Sequence, residues 1–113
     1  MGMFLPTPIA CEDAEAIVET KLRWILSGCT PQEVWLFGSV ATGEMTEASD
    51  VDLALLFADT DDIREAQRAL SRIPRLDDWP QDLVWFQSED FYERANIGGL
   101  PMIVVEDGRR IFP

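Results

Sequence analysis

Leu36-Phe37-Gly38-Ser39-Val40-Ala41-Thr42-Gly43-Glu44-Met45-Thr46-Glu47-Ala48-Ser49-Asp50-Val51-Asp52-Leu53 is the stretch that decides how this chain folds. The apolar run Val34-Trp35-Leu36-Phe37 ends on a Gly-Ser pair. Ten residues then separate Ser39 from Asp50-Val51-Asp52, which opens a second apolar run. This reads as a strand, a polar connection and a strand led by two carboxylates. Residues i and i+2 of a strand face the same way, so Asp50 and Asp52 project together while Val51 turns to the core. Paired carboxylates beside a Gly-Ser turn suit a divalent cation and a phosphate, and magnesium favours one or two carboxylates together with phosphate oxygens.

Before this stretch, residues 7–27 read as a helix. Thr7 with Pro8 at the first position, or a start nearer Cys11, would open it. Glu12, Asp13 and Glu15 suit the positive end of its dipole. Ala10, Ala14, Ile17, Val18, Leu22, Ile25 and Leu26 form its apolar stripe, and Gly28 and Pro31 stop it. The connection 38–49 has room for a short helix around Val40 to Gly43. Val51 to Phe57 is almost wholly apolar after Asp52, as in a strand covered on both faces.

A second helix follows Asp59-Thr60-Asp61-Asp62, with Thr60 or Asp61 as its cap. Ile63, Ala66, Gln67, Leu70 and Ile73 form its buried side, and Pro74 ends it. Arg64, Arg68, Arg72 and Arg75 recur at spacings of three and four and line one face. A run of this kind reads first as a solvated face and second as a surface for a phosphate or an acidic partner. Leu83 to Phe86 is a third strand introduced by Asp82. Ser88 caps a short helix from Glu89 to about Ile97, closed by Gly98-Gly99. For residues 101–113 two readings stay open. One is a hairpin turning at Asp107-Gly108. The other is a helical turn from Pro101, capped by Gly108, before a strand at Arg110 to Phe112. The order of elements gives an α/β sandwich around a mixed sheet.

The 113 residues suffice for a single domain, with its core at about 34–112 and the first helix at about 8–27. Hydrophobic residues make up 47% and four residues are Trp, so the chain has the material for a packed core. The net charge of −12 repels nucleic acid and anionic membranes. No apolar run reaches the roughly 20 residues of a membrane span, and Met1 to Pro6 lacks the basic region of a secretory leader. Cys11 and Cys29 form no metal or redox motif, which fits a reduced, cytoplasmic chain. The chain has no histidine, so histidine-based mechanisms are excluded. Trp24, Trp35, Trp79 and Trp85 read as core or interface anchors, and Tyr92 as a packing residue.

If the third strand lies beside the second, Asp82 joins Asp50 and Asp52. Three converging carboxylates repel one another strongly unless cations hold them. With magnesium bound, such a cluster suits phosphoryl transfer, and Asp82 could take a proton from an attacking hydroxyl. Gly38 would admit a phosphate close to the backbone. The Ser39 hydroxyl and neighbouring N–H groups would donate to it.

The whole pattern resembles the minimal nucleotidyltransferase family of the DNA polymerase β-like superfamily. It comprises Gly38-Ser39, ten residues, Asp50-Val51-Asp52, a helix, then Asp82 on a third apolar run. The resemblance extends over roughly Val34 to Phe112, including Glu106-Asp107-Gly108 and Ile111-Phe112. It implies a mixed-sheet polymerase β-like fold and transfer of NMP, usually AMP from ATP, with two magnesium ions. Gly38 and Ser39 would hold the triphosphate, and Asp50, Asp52 and Asp82 would be the catalytic, metal-binding acids. Asp77 and Asp78 compete for the third place, but they precede Trp79-Pro80 and read as loop acids. Many members resemble the antitoxin partner of a HEPN-domain ribonuclease toxin, which implies transfer of AMP to a tyrosine of that toxin. Members commonly carry arginines just after Gly-Ser, whereas Val40, Ala41 and Thr42 stand here. A module that neutralises its partner by binding alone, and a small-molecule nucleotidyltransferase, are the other two readings.

Overall fold

The computed structural model describes residues 5–113. Met1 to Phe4, part of the stretch lacking a basic leader region, lies outside the described residues. Eight elements follow in order: α1 (Cys11–Gly28), β1 (Glu33–Phe37), β2 (Val51–Phe57), α2 (Thr60–Ser71), β3 (Gln81–Gln87), α3 (Ser88–Ala95), α4 (Gly99–Asp107) and β4 (Arg109–Phe112). The strands form one mixed sheet in the order β3-β2-β1-β4. β1 runs antiparallel to both β2 and β4, and β2 runs parallel to β3.

Strand pleating sends alternate residues of β2 to opposite faces. Val51, Leu53, Leu55 and Phe57 pack on one side with Val18, Trp24 and Ile25 of α1 and Ala66 and Leu70 of α2. Ala54 and Leu56 pack on the other with Phe91 of α3 and Val104 of α4. The sheet is thus the middle of three layers, and β2 has the two-sided burial expected of its apolar run. No helix among the described residues is long and apolar enough to cross a membrane.

Local chemistry moves several boundaries. Of the two expected starts for α1, the one at Cys11 is found. Residues 7–9 run extended beside the connection 38–49 instead: Ile9 N–H donates to Met45 O at 3.0 Å, and Glu47 N–H to Thr7 O at 2.9 Å. Ala10 and Leu26 leave the predicted stripe for the surface, while Lys21 and Trp24 join it. In α2 the cap is Asp59, whose Oδ1 accepts Asp62 N–H at 2.9 Å, rather than Thr60 or Asp61. Gln67 points to solvent. α2 ends at Ser71, so Arg75 lies beyond the helix face that Arg64, Arg68 and Arg72 share. In α3 Gln87 replaces Ser88 as the cap, because the Ser88 hydroxyl instead donates to Gln32 Oε1 at 2.5 Å. Residues 38–43 make hydrogen-bonded turns, not a helix.

The two readings of the C-terminal segment resolve in favour of helix then strand. Gly108 caps α4, its N–H donating to Val104 O at 2.8 Å. A Cβ there would meet Leu36 O at 2.7 Å and press on Val104 O, both backbone atoms that cannot swing aside. Its φ of −88° is ordinary, so the requirement is steric closeness alone. Replacement Gly108→Ala is therefore expected to lower unfolding free energy by about 1–3 kcal/mol, the usual penalty for overpacking. A urea midpoint matching wild type would contradict this contact.

Candidate active site

The parallel register of β2 and β3 sets Asp52 opposite Asp82. Strands lie about 4.8 Å apart across such a ladder, and the two side chains share a face. That face is the one carrying Ala54 and Leu56, hence the α3–α4 side of the sheet. Val51, between Asp50 and Asp52, is fully buried on the opposite side. Asp50 precedes the strand and is exposed, Asp82 is exposed, and Asp52 is half-buried.

Burial raises the Asp52 carboxyl above its ordinary value, and the charges of Asp82 and then Asp50 push it further the same way. Asp52 therefore feels both of the other predicted acids. Asp77 and Asp78 do not join this set; Asp77 turns towards α1 instead.

Gly38 closes the other side. It follows the last residue of β1, and Phe37 pairs across the ladder with Asp52. Its φ is +76°, a left-handed conformation glycine takes readily. A Cβ on Gly38 would collide with Asp52 Oδ2. The carboxylate thus rests against the bare Cα of the Gly-Ser turn. Gly38 O accepts the N–H groups of Ala41 at 3.1 Å and Thr42 at 3.3 Å, and Ser39 O accepts that of Glu44 at 2.8 Å. These bonds fix the turn, and the buried side chains of Val40 and Met45 anchor it.

Among the described residues no three ligand-type side chains are gathered closely enough to cage a metal ion alone. Magnesium does not require such a cage, since it keeps several waters and completes its shell with phosphate. The donor chemistry fits that ion: hard carboxylate oxygens at the exposed end of the sheet, one of them seated against the Gly38 turn. The shelf carrying the acids is open rather than cavernous. A cavity of about 670 Å³ lies between α1 and α2 and is lined by Leu26, Cys29, Phe57, Arg68 and Arg72 among others. Phe57 ends β2 whereas Asp52 stands near its start, so that cavity is remote from the acids.

Two other candidates are set aside by their surroundings. Burial pushes the Cys29 thiol up to about 11, so it is no ready thiolate. Tyr92 donates to Glu33 Oε1 at 2.6 Å, at the opposite end of β1 from Gly38. Burial, and then Glu33, raise its hydroxyl to about 12. Sequence reasoning missed Lys21, which is 2% exposed inside α1's apolar stripe. Its position one helical turn from Ile17 and Ile25 was the available clue.

A candidate nucleotidyltransferase from Sulfolobus solfataricus, known from its crystal structure, has a similar fold, with a TM-score of 0.51 and 20% sequence identity. The match covers 86% of this chain and 77% of that one. No curated protein matches the sequence. The family model described as a nucleotidyltransferase domain matches residues 16–111, which take in β1, β2, β3, all but the last residue of β4, and the three acids. The chain belongs to the nucleotidyltransferase domain family.

Proposed function

We propose that this protein is a magnesium-dependent nucleotidyltransferase that moves AMP from ATP to a tyrosine hydroxyl of a partner protein, a HEPN-type ribonuclease toxin, and so acts as its antitoxin. The observation that carries the reading is Asp52, in register with Asp82 on one side and resting against the bare Cα of Gly38 on the other, in a chain of the nucleotidyltransferase family.

In this reading Asp50 and Asp52 hold the metal ions, with Asp82 joining from β3. Bound magnesium would supply neutralisation of the triphosphate and a lowered pKa for the attacking hydroxyl. Gly38 lets the triphosphate lie against the backbone, and the Ser39 hydroxyl donates to it. Asp82, exposed at the edge strand, accepts the proton of the acceptor hydroxyl. The hydroxyl oxygen bonds to the α-phosphorus. The bond from that phosphorus to the bridging oxygen breaks, and pyrophosphate leaves with the electron pair. Val40, Ala41 and Thr42 bring no cation to the phosphates, so charge neutralisation falls to the metal ions and backbone N–H groups.

A protein acceptor is favoured by the surface on the acids' side of the sheet. α4 carries no charged residue before Glu106, and a helix apolar all round is normally buried. Yet Leu100, Ile103 and Val105 are partly exposed on it, and Ile97 just before it is 85% exposed. Apolar side chains left exposed along one helix suit contact with a protein.

Mass spectrometry of the co-purified partner after incubation with ATP and magnesium should show a gain of one or more AMP units. Asp52→Asn should abolish the gain, and Ile103→Glu should reduce it through weaker partner capture. A tight complex with no added mass would instead assign neutralisation to binding. Modification of a small molecule without any partner would assign a small-molecule substrate.

The raised Asp52 carboxyl gives a second outcome. Its folded-state pKa lies above the unfolded one, so the folded form binds more protons in that window and loses stability as pH rises through it. The penalty is fully present at neutral pH without divalent cation. Metal-free Asp52→Asn is therefore expected to melt a few degrees above metal-free wild type at pH 7, with the gap closing below the unfolded carboxyl pKa. Magnesium should raise the melting temperature of wild type and leave the variant's unchanged. A variant less stable than wild type in the absence of metal would contradict the repulsion.

A further inference from the structure

Asp50 is the one acid of the three that no strand holds. β2 begins at Val51 and β3 spans Gln81–Gln87, so Asp52 and Asp82 sit in the ladder while Asp50 stands outside it. What flanks it is the segment 72–80 between α2 and β3. Val51 N–H donates to Pro80 O at 2.9 Å, and the Trp79 indole Nε1–H donates to Ser49 O at 2.9 Å. Ser49 and Val51 are the residues on either side of Asp50. Pro80 is two residues before Asp82. One short segment therefore ties both acid-bearing stretches together.

That segment is in turn fastened to α1. The Lys21 ammonium lies 2.5 Å from Asp77 Oδ1 and also donates to Trp79 O. Arg75 donates to the same carbonyl and stands 3.9 Å from Asp77 Oδ1. One turn along α1, Trp24 Nε1–H donates to Ile73 O at 3.1 Å. A buried ammonium is an unusual choice for stability, since an apolar side chain of similar volume in such a place is often as good or better. What an ammonium supplies and a methionine does not is directed donors that fix a carbonyl and a carboxylate at one place.

We infer that Lys21, Asp77 and Trp79 are positioning residues: through the indole bond to Ser49 O they hold the backbone at Asp50 in place beside Asp52, so that a divalent cation can engage both acids. The inference rests on the proposed metal role of the acids. Hydrogen-bond partners behind metal ligands commonly change metal affinity 10–100-fold when removed.

Trp79→Phe removes the indole N–H while keeping an aromatic ring. Asp77→Asn, which keeps an oxygen for Lys21, is the second variant should Trp79→Phe fold poorly. Calorimetric titration with Mn²⁺ alone, without nucleotide, is expected to show affinity reduced about tenfold relative to wild type. Amide exchange at Asp50 and Val51 should speed up, while the β2 core from Leu53 to Leu56 keeps its protection. In transfer assays kcat should fall more than KM for ATP rises. Mn²⁺ affinity and Asp50–Val51 exchange equal to wild type in a folded variant would overturn this inference and leave the proposed function standing. Wild-type protein that binds no Mn²⁺ would overturn both.

Discussion

Like-charge repulsion across one rung of a parallel ladder is the constraint around which this fold is arranged. Asp52 and Asp82 are register partners, and Asp50 adds a third charge that Asp52 senses. Such a rung is not there for stability; opposed like charges on adjacent strands destabilise a sheet. The sheet tolerates it because the rest of β2 is among the most buried parts of the chain. Leu53, Ala54, Leu55 and Leu56 are fully buried between two layers of helices. Hydrophobic burial worth about 1.5–3 kcal/mol per large side chain outweighs a repulsion confined to one solvent-facing end of the strand.

The surrounding structure holds that charged end from two sides. Residues 7–9 run alongside the connection 38–49, and the buried Val40 and Met45 fasten it from within. On the other side the segment leading into β3 is clamped to α1 by Lys21 and Trp24. Gly38 is where these constraints meet. Its missing Cβ is the space into which Asp52 Oδ2 fits, so the turn that would cradle a phosphate and the carboxylate that would hold its metal share one contact. Open access from solvent follows, because the acids stand on an edge with Asp82 on the outermost strand.

Much of this was legible in the sequence because it rests on local chemistry. The apolar runs gave β1, β2 and β3, and Asp82 at the head of the third run fell opposite Asp52 once β2 and β3 paired in parallel. What escaped depends on tertiary partners. Ser88 is a good cap by composition, yet its hydroxyl is drawn to Gln32, 56 residues away in sequence, and Gln87 does the capping. Thr7 and Pro8 suit a helix start, but the backbone of 45–47 offers them a bridge. Lys21 reads as a surface residue until Asp77 and Trp79 fold over it. Arg75 belongs to the arginine series by spacing and leaves it because the helix stops at Ser71.

A crystal structure with magnesium and a non-hydrolysable ATP analogue tests the central claim most directly. The account predicts metal bound to Asp50 and Asp52 with Asp82 within reach, and the triphosphate lying along Gly38 and Ser39. Nucleotide seated instead in the cavity between α1 and α2, with the three carboxylates free of metal, would contradict it.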